Sequence, residues 1–159
     1  HLLAGSIRPF VRSLMALATP AGAPAPAIGS GEAVREAFRK LRVVGYSTGP
    51  SGDYLGKLWR GWGLDDDPGC KLVQAPAGVP VARLIAEGEV AIGLQQLSEL
   101  LGQPGVSVIG LLPPDIQKAT DFVSGIARQS HDAEAARAFC SFLAAPEHAE
   151  RLGAQGFAV

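Results

Sequence analysis

Residues 42–63 read "RVVGYSTGPSGDYLGKLWRGWG", and the fold reading turns on this stretch. "RVVGYS" (42–47) is a β-branched run of strand length. It delivers the chain into a short turn crowded with serine, threonine, glycine and proline. Beyond the turn, Leu55, Leu58, Trp59 and Trp62 fall on one helical face, and Gly63 ends the helix. Together these make one strand–turn–helix unit.

The same grammar extends in both directions. Upstream, Ser30 stands at a helix N-cap position with Glu32 in the first turn, and Ala33, Val34, Ala37, Phe38 and Leu41 recur at helical spacing, so residues 31–41 are predicted as an amphipathic helix. Before it, "SLMALAT" (13–19) has strand length and runs into "PAGAPAPAIGSG" (20–31), too rich in proline and glycine for a helix and read as a connector. Downstream, "CKLVQ" (70–74), "VAIGL" (90–94) and "VSVIGL" (106–111) are strands, with a short helix carrying Val81, Leu84 and Ile85 and closed by Gly88. Late in the chain, "DFVSGIA" (121–127) is a strand, residues 132–143 form a helix with Ala135, Ala136, Phe139 and Phe142 inward, and Pro146 opens a final helix. Helix and strand alternate throughout, which predicts an α/β fold with a mostly parallel sheet flanked by helices. In such sheets a ligand lies beyond the carboxyl ends of the strands.

Composition narrows the function. The chain has 159 residues, 47% hydrophobic and 18% charged, with a formal net charge of −1, which is a globular composition. There is no basic excess to grip a phosphate backbone, so nucleic acid is not an expected partner. No apolar run approaches the roughly 18 residues of a membrane span. Cys70 and Cys140 sit far apart in apolar surroundings and are read as buried free thiols, and the three histidines do not cluster with cysteine, so neither a metal nor a cofactor is expected.

The turn itself suggests capture of a small anion. With Ser51 as N-cap, the amides of Gly52, Asp53 and Tyr54 are unpaired at the positive end of the helix dipole, and Ser47, Thr48 and Ser51 add hydroxyl donors. A capped turn whose serines satisfy the helix themselves is the alternative, and it stays open at this stage. Asp53 stabilises the helix start yet repels an anion held there. Two further loops follow strands in the same way: "APAGVPVARL" (75–84), with Gly78 and Val79 at its turn, and "GLQQLSEL" (93–100), with Gln95 and Gln96. Catalytic patterns are missing. "GPSGDYLGK" departs from a phosphate-binding P-loop, Ser51 lies outside a hydrolase elbow, and His131 and His148 have no nucleophile partner. The reading is of a binding protein and not an enzyme.

The run from "RVVGYSTGPSGDYLGKLWRGWGL" through "KLVQAPAGVPVARLIAEGEVAIGLQQLSELL" to "GVSVIGLLPPDIQ" resembles the molybdate-binding-like branch of the periplasmic solute-binding proteins of ABC transporters. "FVSGIARQSHDAEAARAFCSFLAAPEHAERLGAQGF" is similar to the close of that family. The resemblance implies two α/β lobes of the type II periplasmic-binding fold, closing on an oxyanion held by neutral hydrogen bonds. Residues 1–26 would be a crossover segment and linker, 27–112 the second lobe, and 113–159 the return strand and C-terminal helices of an incomplete first lobe, whose bare core surface another copy or a missing segment would cover. It also implies a membrane permease as partner and a periplasmic location; a cytosolic sensing domain of the same fold is the alternative. Ser51 falls where the family uses a loop amide, Val79 (or Gly78) where it uses a second helix N-terminus, and Gln96 where molybdate binders place a tyrosine. That glutamine and Asp53 leave a different oxyanion, a carboxylate or a small organic ligand open.

Overall fold

Thirteen residues, Arg8–Pro20, form strand β1 in the computed structural model, which describes residues 1–158. The order continues α1 (Gly31–Leu41), β2 (Val43–Tyr46), α2 (Pro50–Gly61), β3 (Lys71–Gln74), α3 (Val81–Ala86), β4 (Ile92–Gln96), α4 (Leu97–Leu100), β5 (Val106–Leu111), β6 (Ala119–Ser124), α5 (Ala133–Leu143), a 3₁₀ turn (Pro146–His148), α6 (Ala149–Ala154) and β7 (Phe157–Ala158). The chain divides into two units, Leu14–Lys118 and a smaller one made of residues 1–13 and 119–158. β1 runs through both.

In the larger unit the sheet order is β3-β2-β4-β1-β5. β2 pairs in parallel with β3 and β4, while β1 is antiparallel to both β4 and β5. Two of these pairings are therefore parallel and two antiparallel, in a mixed sheet where four strands share one direction and β1 runs against both of its neighbours. Its insertion between β4 and β5 is not visible in the local sequence.

Period-2 alternation assigns each residue to a layer. On one face Met15, Leu17, Val44, Ile92 and Leu94 pack with Val34 and Phe38 of α1 and Leu55 and Trp59 of α2. On the other, Ala16 and Ala18 meet Val81, Leu84 and Ile85 of α3 and Leu100 of α4. Small residues on that second face let α3 lie close. A Cβ on Gly93 would sit 2.5 Å from Val81 Cγ1 and 2.7 Å from Ile85 Cδ1. Phe38 anchors the first face: it is fully buried, with ring centroids 6.2 Å from Trp59 and 6.0 Å from Trp62.

In the smaller unit the start of β1 pairs with β6 and, through Arg12↔Ala158 and Ser13↔Phe157, with β7. Phe122 and Phe157 meet edge to face at 6.0 Å. The Arg12–Asp121 ion pair (2.6 Å) is exposed on both sides, so it adds little stability. Asp132 caps α5, its Oδ1 accepting from Ala135 N–H at 2.8 Å. One expectation fails here. Phe139 and Phe142 are 60% and 54% exposed and no residue of α5 is buried; Phe142 meets the His148 ring, edge to face at 4.6 Å. Both cysteines carry free thiols and are half-buried rather than buried. Among the described residues no helix is long and apolar enough to cross a membrane, and no cluster of His, Cys, Asp and Glu is arranged to hold a metal.

Candidate functional site

The parallel strands β2, β3 and β4 end together, Tyr46 lying beside Gln74 on one side and Leu94 on the other. The loops at 47–50 and 75–80 and the side chain of Gln96 therefore share one edge of the sheet. Helices α1, α2 and α3 each run back against a following or preceding strand, which brings their N-termini to this same edge. The first N–H groups of a helix have no partner within it, so the treatment of each start decides what the edge can bind.

Two of the three starts are closed by side chains. At α1, Ser30 Oγ accepts from Ala33 N–H at 3.2 Å and Asp115 Oδ2 accepts from Gly31 N–H at 2.7 Å. At α3, Gln95 Oε1 accepts from Val81 N–H at 3.0 Å. Gln95 is buried, and its other end donates to Glu99. Partial burial pushes the Glu99 carboxyl above its ordinary range, with the bond from Gln95 pulling the other way. Gln95 is thus a strut between a strand end and two helices. Replacing it with leucine strands the Val81 N–H and is expected to cost about 1–2 kcal/mol, the penalty of an unmade buried hydrogen bond. Urea unfolding reads that loss; an unchanged midpoint would show that this amide finds another partner.

The start of α2 is different. Its N-cap is Gly49, with no side-chain cap bond, and Pro50 occupies the first helical position. Ser51 is therefore inside the first turn and is not the N-cap expected from the sequence. Asp53 N–H donates to Gly49 O at 3.0 Å, so the amides ahead of the first intrahelical bond belong to Ser51 and Gly52, and those of Asp53 and Tyr54 lie within the helix. Ser47 Oγ and Ser51 Oγ are 2.8 Å apart, a hydroxyl pair that leaves one proton to donate outward. Thr48 is exposed in the same loop, while Ser47 is half-buried. Gly52 has a structural necessity behind it: a Cβ there would overlap the Ser47 carbonyl oxygen and lie 2.8 Å from Tyr46 Cδ2. Asp53 is exposed and lines a groove of about 430 Å³ with Lys57, Arg60, Asp65 and Gln74.

The loop at 75–80 does not match its expected role. Val79 N–H donates to Pro76 O at 2.9 Å, closing a turn in which Gly78 takes φ +80°. The helix begins two residues later, at Val81, where Gln95 already occupies the amide. Neither Gly78 nor Val79 marks an open helix start. Gln96 fares otherwise. It is buried, pairs with Met15 in register, and so projects to the face that carries α1 and α2. Gln95 and Gln96, adjacent in sequence, thus serve opposite faces. The candidate site comprises Ser47, Thr48, Ser51, Gly52 and Gln96 around the one uncapped start among these three helices. Its donors are neutral.

The comparisons with known proteins agree with a binding fold. The chain is 36% identical over 146 residues to a Pseudomonas aconitate isomerase, matching 91% of this chain and spanning 55% of that relative's length. A substrate-binding domain assigned to a molybdenum ABC transporter of Clostridium difficile superposes with a TM-score of 0.75 at 16% identity, over 99% of this chain and 68% of that one. The periplasmic molybdate-binding protein of Azotobacter vinelandii gives 0.63 at 17%, over 99% and 70%. These place the fold among type II periplasmic binding proteins. Residues 1–158 match the family model described as bacterial extracellular solute-binding protein, and the chain belongs to that family.

Proposed function

We propose that this chain is the solute-binding component of an ABC importer, holding a small oxyanion or carboxylate at the start of α2, in the periplasm and with a membrane permease as partner. The observation that carries the reading is the contrast among helix starts: α1 and α3 are closed by Asp115 and Gln95, while α2 carries no side-chain cap and has Gln96 buried on its side of the sheet. First-turn amides and the helix dipole favour an anion there. The Ser47–Ser51 hydroxyl pair and Thr48 replace further hydration. This is capture, in which selection comes from the arrangement of donors.

Titration calorimetry with molybdate, tungstate, sulfate, acetate and aconitate tests it. Saturable binding of at least one is expected, and the Ser47→Ala/Ser51→Ala double variant is expected to bind about tenfold more weakly, the scale of losing one hydrogen bond to a charged group. Absence of binding to every anion would overturn the reading. A second reading is favoured by the aconitate isomerase relative: the same anion site serves isomerisation of a bound carboxylate. Incubation with aconitate, followed by chromatography of its isomers, separates turnover from capture.

A further inference from the structure

An open sheet has two edges, and in the larger unit these are β3 and β5. An edge strand carries a row of backbone groups without partners, and bulges, charges or shortness blunt such rows. β5 is blunted by a bulge: its register against β1 jumps from Gly110 to Val108 between Leu17 and Ala18, which leaves Ile109 without an opposite residue. β3 instead keeps an unbroken register with β2, from Val43↔Lys71 to Tyr46↔Gln74. The bonds to β2 fix where its remaining groups point. Lys71 N–H donates to Arg42 O at 2.6 Å and Ala75 N–H to Tyr46 O at 2.8 Å. Alternate residues of a strand turn their backbone groups to opposite sides, so Leu72 and Gln74 turn N–H and C=O outward.

The side chains of Leu72 and Gln74 line the groove of about 430 Å³ beside α2, and the charges along that groove have a polarity. α2 joins two parallel strands and runs back against them, so it starts at the Gln74 end of the edge and finishes at the Lys71 end. Asp53 stands at the first end. Arg60 and Lys71 stand at the second, with Asp65 beside them. All are exposed, and among the described residues none of these four, nor Lys57 between the ends, enters an ion pair. One end is acidic, and base predominates at the other.

We propose that β3 is a docking edge for a second copy of this chain, the two β3 strands pairing antiparallel about a two-fold axis at Val73. Leu72 exchanges N–H···O bonds with Gln74 of the second copy, and Gln74 does so with its Leu72. Main-chain bonds of this kind supply affinity when a strand adds to an open edge. The opposed directions set the Asp53 end of each copy beside the Arg60 and Lys71 end of the other. Two copies paired in parallel would set acid against acid and base against base. A two-fold contact uses the same patch on both chains and closes at two, so the open edge does not grow into a fibre.

Sedimentation equilibrium over a concentration series, at low and high salt, tests this. The wild type is expected to pass from one chain to two as concentration rises, and to dissociate as salt rises. Gln74→Pro removes the outward N–H and leaves the bonds to β2 in place. It is expected to weaken the dimer by about tenfold or more, the scale of two lost hydrogen bonds, while Gln74→Thr, which keeps that N–H, matches wild type. Arg60→Glu is expected to weaken the dimer as well, and the Asp53→Arg/Arg60→Glu double variant to recover it, because the swap restores opposite charges across the axis. Circular dichroism checks the fold of each variant, and the charge swap decides the matter if Gln74→Pro does not fold. A wild type that stays single at every concentration overturns the proposal. A dimer that survives either Gln74→Pro or Arg60→Glu overturns it too, as does a double variant that fails to recover.

Discussion

Phe38→Ala is expected to destabilise the larger unit by about 3–5 kcal/mol, the range for deleting a large aromatic side chain from a packed core. Phe38 is fully buried and touches Trp59 and Trp62, and it packs with Val34, Val44 and Leu55. Its loss removes apolar burial and leaves a cavity between α1, α2 and the sheet that large rings cannot collapse to fill. Denaturant unfolding monitored by tryptophan fluorescence reports this directly, because both tryptophans line the hole. Phe139→Ala is the matched control. That ring is 60% exposed, and its truncation is expected to change stability by no more than about 0.5 kcal/mol. Equal losses from the two variants would contradict the layer assignment.

The second large effect is expected at Gly52. Alanine there drives a methyl group into the Ser47 carbonyl oxygen, a backbone atom that cannot swing aside as a side chain can. The turn must open or the first turn of α2 must unwind. A cost of about 3 kcal/mol, at the upper end for overpacking, is expected. Loss of anion binding should accompany it, since the displaced groups include the Ser47 hydroxyl and the amides of Ser51 and Gly52. Gly56→Ala is the comparison. It lies on the same helix with only the tip of Arg60 near its added methyl, at 3.7 Å, and replacing a helical glycine with alanine is mildly stabilising there, by ~0.5–1 kcal/mol. Binding retained in Gly52→Ala would separate the site from this turn and so count against the proposed function.

Local pattern reading worked where the physical cause is local. The helix over 31–41 follows from apolar spacing and the Ser30 cap, and the structure shows Gly31–Leu41 with Ser30 accepting from Ala33 N–H. The strand preceding the serine-rich turn and the helix after it are likewise found, as Val43–Tyr46 and Pro50–Gly61. The same approach misplaced the cap of α2 by two residues. Serine is the stronger capping residue by preference, but Pro50 already suits the first helical position and Gly49 supplies the backbone turn at φ +98°.

The site was legible only in part. Ser47, Thr48, Ser51 and Gly52 could be singled out because hydroxyls and glycines after a strand have a local meaning. Gln95 was read as one of a pair, yet its bond to Val81 crosses 14 residues, and no window of sequence predicts which of two adjacent glutamines faces α3. Asp115 closes α1 from 84 residues away.

The amino-acid order by itself determined the elements, the alternation that makes an α/β sheet, and the neutral, hydroxyl-rich character of the turn after β2. These depend on φ/ψ preferences and on apolar periods of 2 and 3.6, which act over a few residues. Tertiary structure alone decided that β1 runs antiparallel through the middle of the sheet, that α1 and α3 have closed starts while α2 does not, and that Phe139 and Phe142 remain more than half exposed. Each of these is a pairing between distant segments, set by which surfaces meet once the strands are assembled, and a chain of isolated local preferences contains no record of it.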